Sequence, residues 1–287
     1  MRFELARLFL LERKQSDAFE RRAADGSKLN REQWLREVFS QEIDFIHRKS
    51  ERRFVPDQSR PKGEQRIVAR IGRKTLSHEN DPNDHLKEIT REQWRACLVI
   101  IDPTSHDDGQ KVAIETSSIV GSGFGNFESL ITTINGHSPP EPFVIELHSI
   151  TDQTTFWEYV DRHKGKITSI ALEVVMPNMF GGSSSFEEDA KQLRDKEKAR
   201  KIKETIENED GLEPETERMR DAVSYATRGG GKVKAKAKGA TPYDSTRDKK
   251  YIEADVDSEN RDINQKTEAA IEAFNKDENE AVVEKEV

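Results

Sequence analysis

The stretch 228–238 constrains the fold more than any other part of the chain. It reads Arg228-Gly229-Gly230-Gly231, then Lys232-Val233-Lys234-Ala235-Lys236-Ala237-Lys238, with lysine at every second position. A β-strand sends successive side chains to opposite faces. As a strand, Lys232, Lys234, Lys236 and Lys238 form one cationic row with ammonium groups about 7 Å apart, and Val233, Ala235 and Ala237 form a small apolar back. Such a row suits a phosphate backbone. It also suits an edge strand guarded by lysines against pairing with other chains. The three glycines point to backbone torsions closed to other residues, or to close approach of a phosphate.

The net charge of −8 hides an uneven distribution. Residues 251–287 carry 12 acidic and 4 basic side chains, residues 228–250 carry 8 basic and 2 acidic, and residues 1–74 carry 19 basic and 12 acidic. The middle, 75–227, is therefore strongly acidic. Two basic zones flank it, and sign asymmetry of this kind says more about partners than the overall balance. With 33% hydrophobic and 36% charged residues, the composition is lean for one packed core and predicts exposed helices and a disordered end. The single cysteine, Cys97, lies in an apolar run, which reads as a buried thiol. The chain opens on no signal peptide and holds no apolar run of membrane-span length, so a cytoplasmic protein is expected.

Periodicity predicts strands at 3–11, around 45–55, at 65–73 ending on Gly72, at 94–101 and 111–119 as a hairpin, and at 143–150, 167–176, 232–238 and 251–256. Helices are predicted after an Asn30 cap with Gln33 at the capping-box position, and at 127–134, 156–163, 186–208, 214–226 and 260–274. The helix 186–208 has only a thin apolar stripe. Residues 78–84 read as a polar loop. The fold class is α/β of the α+β type. Two domains, 1–165 and 166–274, each carry a mostly antiparallel sheet with helices, and 275–287 form a disordered acidic tail.

No catalytic signature emerges. Gly121-Ser-Gly-Phe-Gly125 lacks both the Gly-Lys-Ser/Thr ending of a phosphate loop and the third glycine of a dinucleotide site. Asp102, His106, Asp107 and Asp108 offer metal-ligating groups in one loop, but Asp-Pro and Asp-Asp-Gly are also ordinary turn chemistry. No metal and no cofactor are expected. A second basic cluster surrounds Phe54: Arg48, Lys49, Arg52, Arg53, Arg60 and Lys62, followed by Arg66, Arg70 and Arg73. It strengthens a nucleic-acid reading only if it faces the same way as the lysine row.

Several motifs occur together in a familiar order: Ile67-Val-Ala-Arg-Ile-Gly-Arg73; Trp94 before Ile101-Asp102-Pro103 and Asp108-Gly-Gln110; Phe156-Trp157; Pro177-Asn178-Met-Phe180; and Gly229-Gly-Gly231 before the lysine strand. The set resembles a bacterial family of uncharacterised accessory proteins. In layout it is similar to the RexA-like phage-exclusion proteins and to the DNA-binding subunit of the Kiwa defence system. The resemblance spans most of 1–274, and 275–287 has no counterpart in it. It implies an N-terminal and a C-terminal α/β domain, sequence-nonspecific DNA binding in anti-phage defence, and a tendency to form homodimers. Joined to the residue pattern, it predicts a non-enzymatic DNA-binding protein using Arg228, Lys232, Lys234, Lys236, Lys238, Lys249 and Lys250. Two rivals remain: a metal-dependent nuclease or toxin built on Asp102, His106, Asp107 and Asp108, and an adaptor that recruits a defence partner through helix 186–208.

Overall fold

The computed structural model describes residues 1–13, 29–60, 65–104, 110–117, 120–138, 141–175, 185–256 and 263–283. The fold mixes helices with two antiparallel sheets. The first sheet is built on β1 (Arg2–Glu12), whose eleven residues are long enough to serve three partners. On one side β1 pairs with β6 (Gln110–Glu115); on the other it pairs first with β12 (Tyr251–Glu253) and then with β7 (Phe143–Ser149). From β6 the sheet continues through β5 (Lys87–Ile101), β4 (Ile67–Asp81), β3 (Ser50–Pro56) and β2 (Ile43–His47).

Both faces of β1 are apolar, and both are covered. Ala6, Leu8 and Leu10 face a core closed by α1 (Arg31–Val38) and α2 (Gly123–Asn135), with Trp34, Phe39 and Phe127 fully buried. Phe3 and Leu5 face the opposite way, toward Ala270 and Phe274 of α6 (Ile263–Val283). The Asn30 capping box is present, with Asn30 and Gln33 each bonding the other's backbone N–H.

The second sheet runs in the order β11 (Tyr243–Asp244), β10 (Gly231–Ala237), β8 (Ile167–Val175), β9 (Lys201–Glu207). Its apolar face packs on α3 (Gln153–Arg162), α4 (Ser185–Glu197) and α5 (Glu217–Tyr225). The chain crosses the boundary expected at 165 in both directions. Helix α3 lies before it and packs in the second core, while after it β12 joins the first sheet and α6 packs on that sheet's face.

Three elements differ from the sequence expectation. The predicted helix 186–208 ends at Glu197, and Lys201–Glu207 is a strand paired along β8, with Lys198 turning the chain at φ 59°. Its period-two pattern, Lys-Ile-Lys-Glu-Thr-Ile-Glu, prevails over the helical stripe because β8 offers a free edge. Gly72 does not end a strand. It lies inside β4, and β4 and β5 stay paired from Ile67↔Ile101 out to Asp81↔Lys87, through the predicted polar loop. A Cβ on Gly72 would come 3.1 Å from the Trp94 ring, so the glycine makes room for that indole. Finally, the predicted tail 275–287 is helical as far as Val283, where Asp277 reaches Lys250 at 2.6 Å. Among the described residues, no helix is long and apolar enough to cross a membrane.

Candidate nucleic-acid interface

The alternation of 231–237 is realised in full. Gly231, Val233, Ala235 and Ala237 are buried, and Lys232, Lys234 and Lys236 are exposed. Lys238 lies one residue past the strand and is exposed too. β10 is not an edge strand. It is paired with β8 along its length; on the other side β11 pairs with Lys234 and Ala235, and Ser245 Oγ accepts the Val233 N–H at 3.0 Å. With the edge closed by backbone and by Ser245, protection against strand addition does not account for the lysines.

Register places further charges on the same face. Lys232 is opposite Glu173 of β8, which is opposite Lys203 of β9; Lys236 is opposite Ser169, which is opposite Glu207. Glu173 is held by Lys201 at 2.8 Å and by Lys203 at 3.2 Å. Those bonds, the Lys201 one first, bring its carboxyl down to about 2. Lys234 is paired with Asp244 at 2.9 Å. Lys232, Lys236 and Lys238 have no ion-pair partner among the described residues. The described residues of this face include no aromatic side chain.

Reading β9 as a helix hid Lys201 and Lys203. Their alternation with Ile202 and Ile206 was the signal that places them beside the lysine row.

The other expected contacts sit elsewhere. Arg228 is half-buried in the turn before β10, and its Nε donates to Ser224 O at 3.3 Å. Lys249 bonds Glu4 at 2.7 Å and lies over the Phe124 ring at 4.8 Å. Lys250 is committed to Asp277 on α6. These two lysines tie the segment before β12 to the first sheet and its helix.

The three glycines are packing residues. A Cβ on Gly229, whose φ is +91°, would come 2.9 Å from Cβ of Arg7. On Gly230 it would come 2.4 Å from the Tyr225 ring, and on Gly231 2.0 Å from Glu173 O.

The second basic cluster belongs to the first sheet, not to the sheet of the lysine row, and most of it is engaged there. Arg52 is buried and donates to Asn126 Oδ1 at 2.8 Å, and Arg53 bonds Asp44 at 2.6 Å. Arg60 bonds Glu268, and Arg70 donates to Thr267 at 3.5 Å. Arg48 and Lys49 form the β2–β3 turn with φ of 47° and 64°. All these residues belong to the first sheet or to its contact with α6, and Lys62 lies outside the described residues.

Asp102, the first candidate metal ligand, is buried against Arg66 at 2.7 Å, and its Oδ1 accepts the Thr104 N–H at 2.9 Å. A carboxylate so engaged has little capacity left for a cation. His106, Asp107 and Asp108 lie outside the described residues, as does the motif 177–180. Burial pushes the Cys97 thiol up to about 12, which leaves it a core residue and no nucleophile.

No family model, no curated protein and no solved structure matches the chain.

Proposed function

We propose that this chain is a non-enzymatic protein that binds the phosphate backbone of duplex DNA, without reading sequence, through the open face of its four-stranded sheet. One observation supports this most. Lys232, Lys236 and Lys238 stand exposed, free of ion-pair partners among the described residues, on a strand whose edge is already closed. Phosphate contacts position a protein without reporting sequence. The described residues of the face include no aromatic side chain and so offer no stacking platform for unpaired bases, which favours duplex over single strands. An anti-phage setting rests on the resemblance of the sequence motifs alone.

The test is fluorescence anisotropy with two duplexes of unrelated sequence. Both should bind alike, with dissociation constants of roughly 10⁻⁵ M at low salt and a log–log salt slope of magnitude about 3, since each neutralised phosphate contributes about 0.9. EDTA should change nothing. Absence of binding at about 50 mM salt, or magnesium-dependent cutting that EDTA stops, overturns the proposal.

Glu173 supplies a prediction of opposite sign. Its carboxylate neutralises Lys201 and Lys203, so Glu173→Gln should tighten duplex binding several-fold at low salt and steepen the salt slope by about 1–2. Because its folded value is depressed to about 2, the group stays ionised through ordinary buffers. Its stabilising effect is present above about pH 4.5 and is lost as pH falls toward 2. Lowering pH from 7 to 5 should therefore not reproduce the effect of Glu173→Gln. If that variant binds no better than the parent, the face is not where DNA sits.

A further inference from the structure

Among the described residues, the large hydrophobic side chains that stay exposed are Ile46, Val55, Leu76, Leu86 and Trp94, and all of them belong to the β2–β5 end of the first sheet. There β4 and β5 run past their neighbours. β3 pairs with β4 no further than Arg73, and β6 pairs with β5 no further than Val99. From Lys74↔Trp94 to Asp81↔Lys87 the two strands form a ribbon, roughly 27 Å long at about 3.4 Å per residue. Register puts Ile46, Val55, Leu76 and Trp94 on one face. Helix α6 covers that face nearer the middle of the sheet, over Val68, Leu98 and Ile100, and out to Arg70, which donates to Thr267 at 3.5 Å. Beyond Arg70 the same face is bare, with Leu76 and Trp94 exposed on it.

Trp94 is exposed yet held in place. Its ring fills the space that Gly72 leaves, 3.1 Å from where a Cβ would stand, and Arg53 lies over it at 5.6 Å. An indole fixed in this way is the kind of anchor that dominates protein interfaces, and it attracts cations to its ring. The charges around it are unbalanced. Asp44, Glu51, Glu88 and Glu92 share the face with Arg53 and Lys74. Arg53 is taken by Asp44 at 2.6 Å, and Lys74 by Glu92 at 2.8 Å. Glu51 shares that same Lys74 at 3.6 Å, and Glu88 bonds His78 at 3.0 Å, a cation only when protonated. The surplus is acidic. It repels nucleic acid and opposes an identical face, and it complements a cationic surface that carries apolar anchors.

We infer that this face docks a basic amphipathic helix of another protein. The layer that such a helix joins is already helical, since α6 lies on the same face of the sheet. A helix of about 18 residues is about 27 Å long, the length of the ribbon. Its apolar stripe meets Ile46, Leu76 and Trp94, and the lysines or arginines beside that stripe reach Glu51, Glu88 and Glu92. The ribbon face offers about 270 Å² (27 Å by about 10 Å). Both sides of the contact together stay below about 1,000 Å², the range of weak and reversible complexes. The inference uses the first sheet alone and does not depend on the lysine row of the second sheet binding DNA.

The probe is a labelled leucine–lysine peptide of about 18 residues with leucines at helical spacing, set against the same pattern with glutamate in place of lysine. Anisotropy with the full chain should give a dissociation constant of roughly 10⁻⁵–10⁻⁴ M for the lysine peptide at about 50 mM salt. The glutamate peptide should bind at least tenfold more weakly. Trp94 emission should shift to the blue on binding, and Trp94→Phe should lose that shift. Ile46→Gln with Leu76→Gln should weaken the lysine peptide at least tenfold. Glu88→Gln with Glu92→Gln should weaken it several-fold at low salt, and the difference should fade as salt rises. All four side chains are exposed, so circular dichroism and melting should stay unchanged. No binding up to about 1 mM, or either double variant binding as the parent does, overturns the inference. Self-association of the parent that Ile46→Gln with Leu76→Gln abolishes would give the face to a second copy and overturn it too. Capture by phosphatidylcholine vesicles, lost in the same variant, would give the face to a lipid surface with the same consequence.

Discussion

Gly231→Ala should destabilise the protein by at least about 3 kcal/mol, although it adds a single methyl group. The residue is extended, so its torsions admit any side chain. The obstacle is space. The added Cβ would lie 2.0 Å from Glu173 O, 2.8 Å from Val174 Cα and 2.9 Å from Glu173 C, all of them backbone atoms of β8. No rotamer relieves a backbone clash, so β10 has to move away from β8 and loosen the pairing that runs from Gly231↔Val174 onward. That pairing positions Val233, Ala235, Ile170 and Leu172 in the second core. Neighbouring Gly230 is confined by Tyr225, whose hydroxyl donates to Val175 O at 2.7 Å and so fixes the ring. Urea or thermal unfolding reads the effect, a fall of roughly 6–12 °C. The molecules that remain folded should bind DNA normally, because the glycines serve packing and not a phosphate. A variant within about 1 kcal/mol of the parent would show that β8 and β10 can separate freely.

What the sequence disclosed follows from how local each signal is. The Asn30 capping box, the lysine strand and the Val-Ile strands of the first core need only a few neighbouring residues to be read. The lysine row was legible because alternation and exposure are the same fact for a strand with one buried face. Partners distant in sequence were not legible. Lys249 and Lys250 read as part of the basic zone, but Glu4 and Asp277, which occupy them, come from opposite ends of the chain. The arginines around Phe54 read as a nucleic-acid surface, yet Asn126, Asp44 and Glu268 claim them. The outer half of the β4–β5 pair escaped notice because most of its residues are polar, and polar alternation broken only by Leu76, Ile89 and Trp94 looks like a loop when there is no core to read it against. Charge composition locates a basic zone. Only the fold shows which of its cations are already paired.

That distinction fixes the experiment on the lysine row. Lys232→Gln, Lys236→Gln and Lys238→Gln together should weaken duplex binding roughly a hundred- to a thousand-fold at about 50 mM salt and flatten the log–log salt dependence by about 2.7, three contacts at about 0.9 each. Lys234 is left in place because Asp244 already holds it, and replacing it alone should do little. The folded state should be indifferent to the triple change: the three side chains are exposed, and the outer edge of β10 is closed by β11 and Ser245 without them. Lys249→Gln with Lys250→Gln is the matched control. It removes two positive charges from the same basic zone, against three in the row, yet it leaves Glu4, which is 7% exposed, with the Ser149 hydroxyl in place of a cation, and frees Asp277. That pair should lower the melting temperature, since a buried carboxylate loses its cation, and leave affinity and salt slope within about twofold of the parent. Equal losses of affinity in the two sets would mean that bulk charge attracts DNA and that the row has no special role. Unchanged affinity and slope in the triple variant would remove the open face of the second sheet as the binding surface.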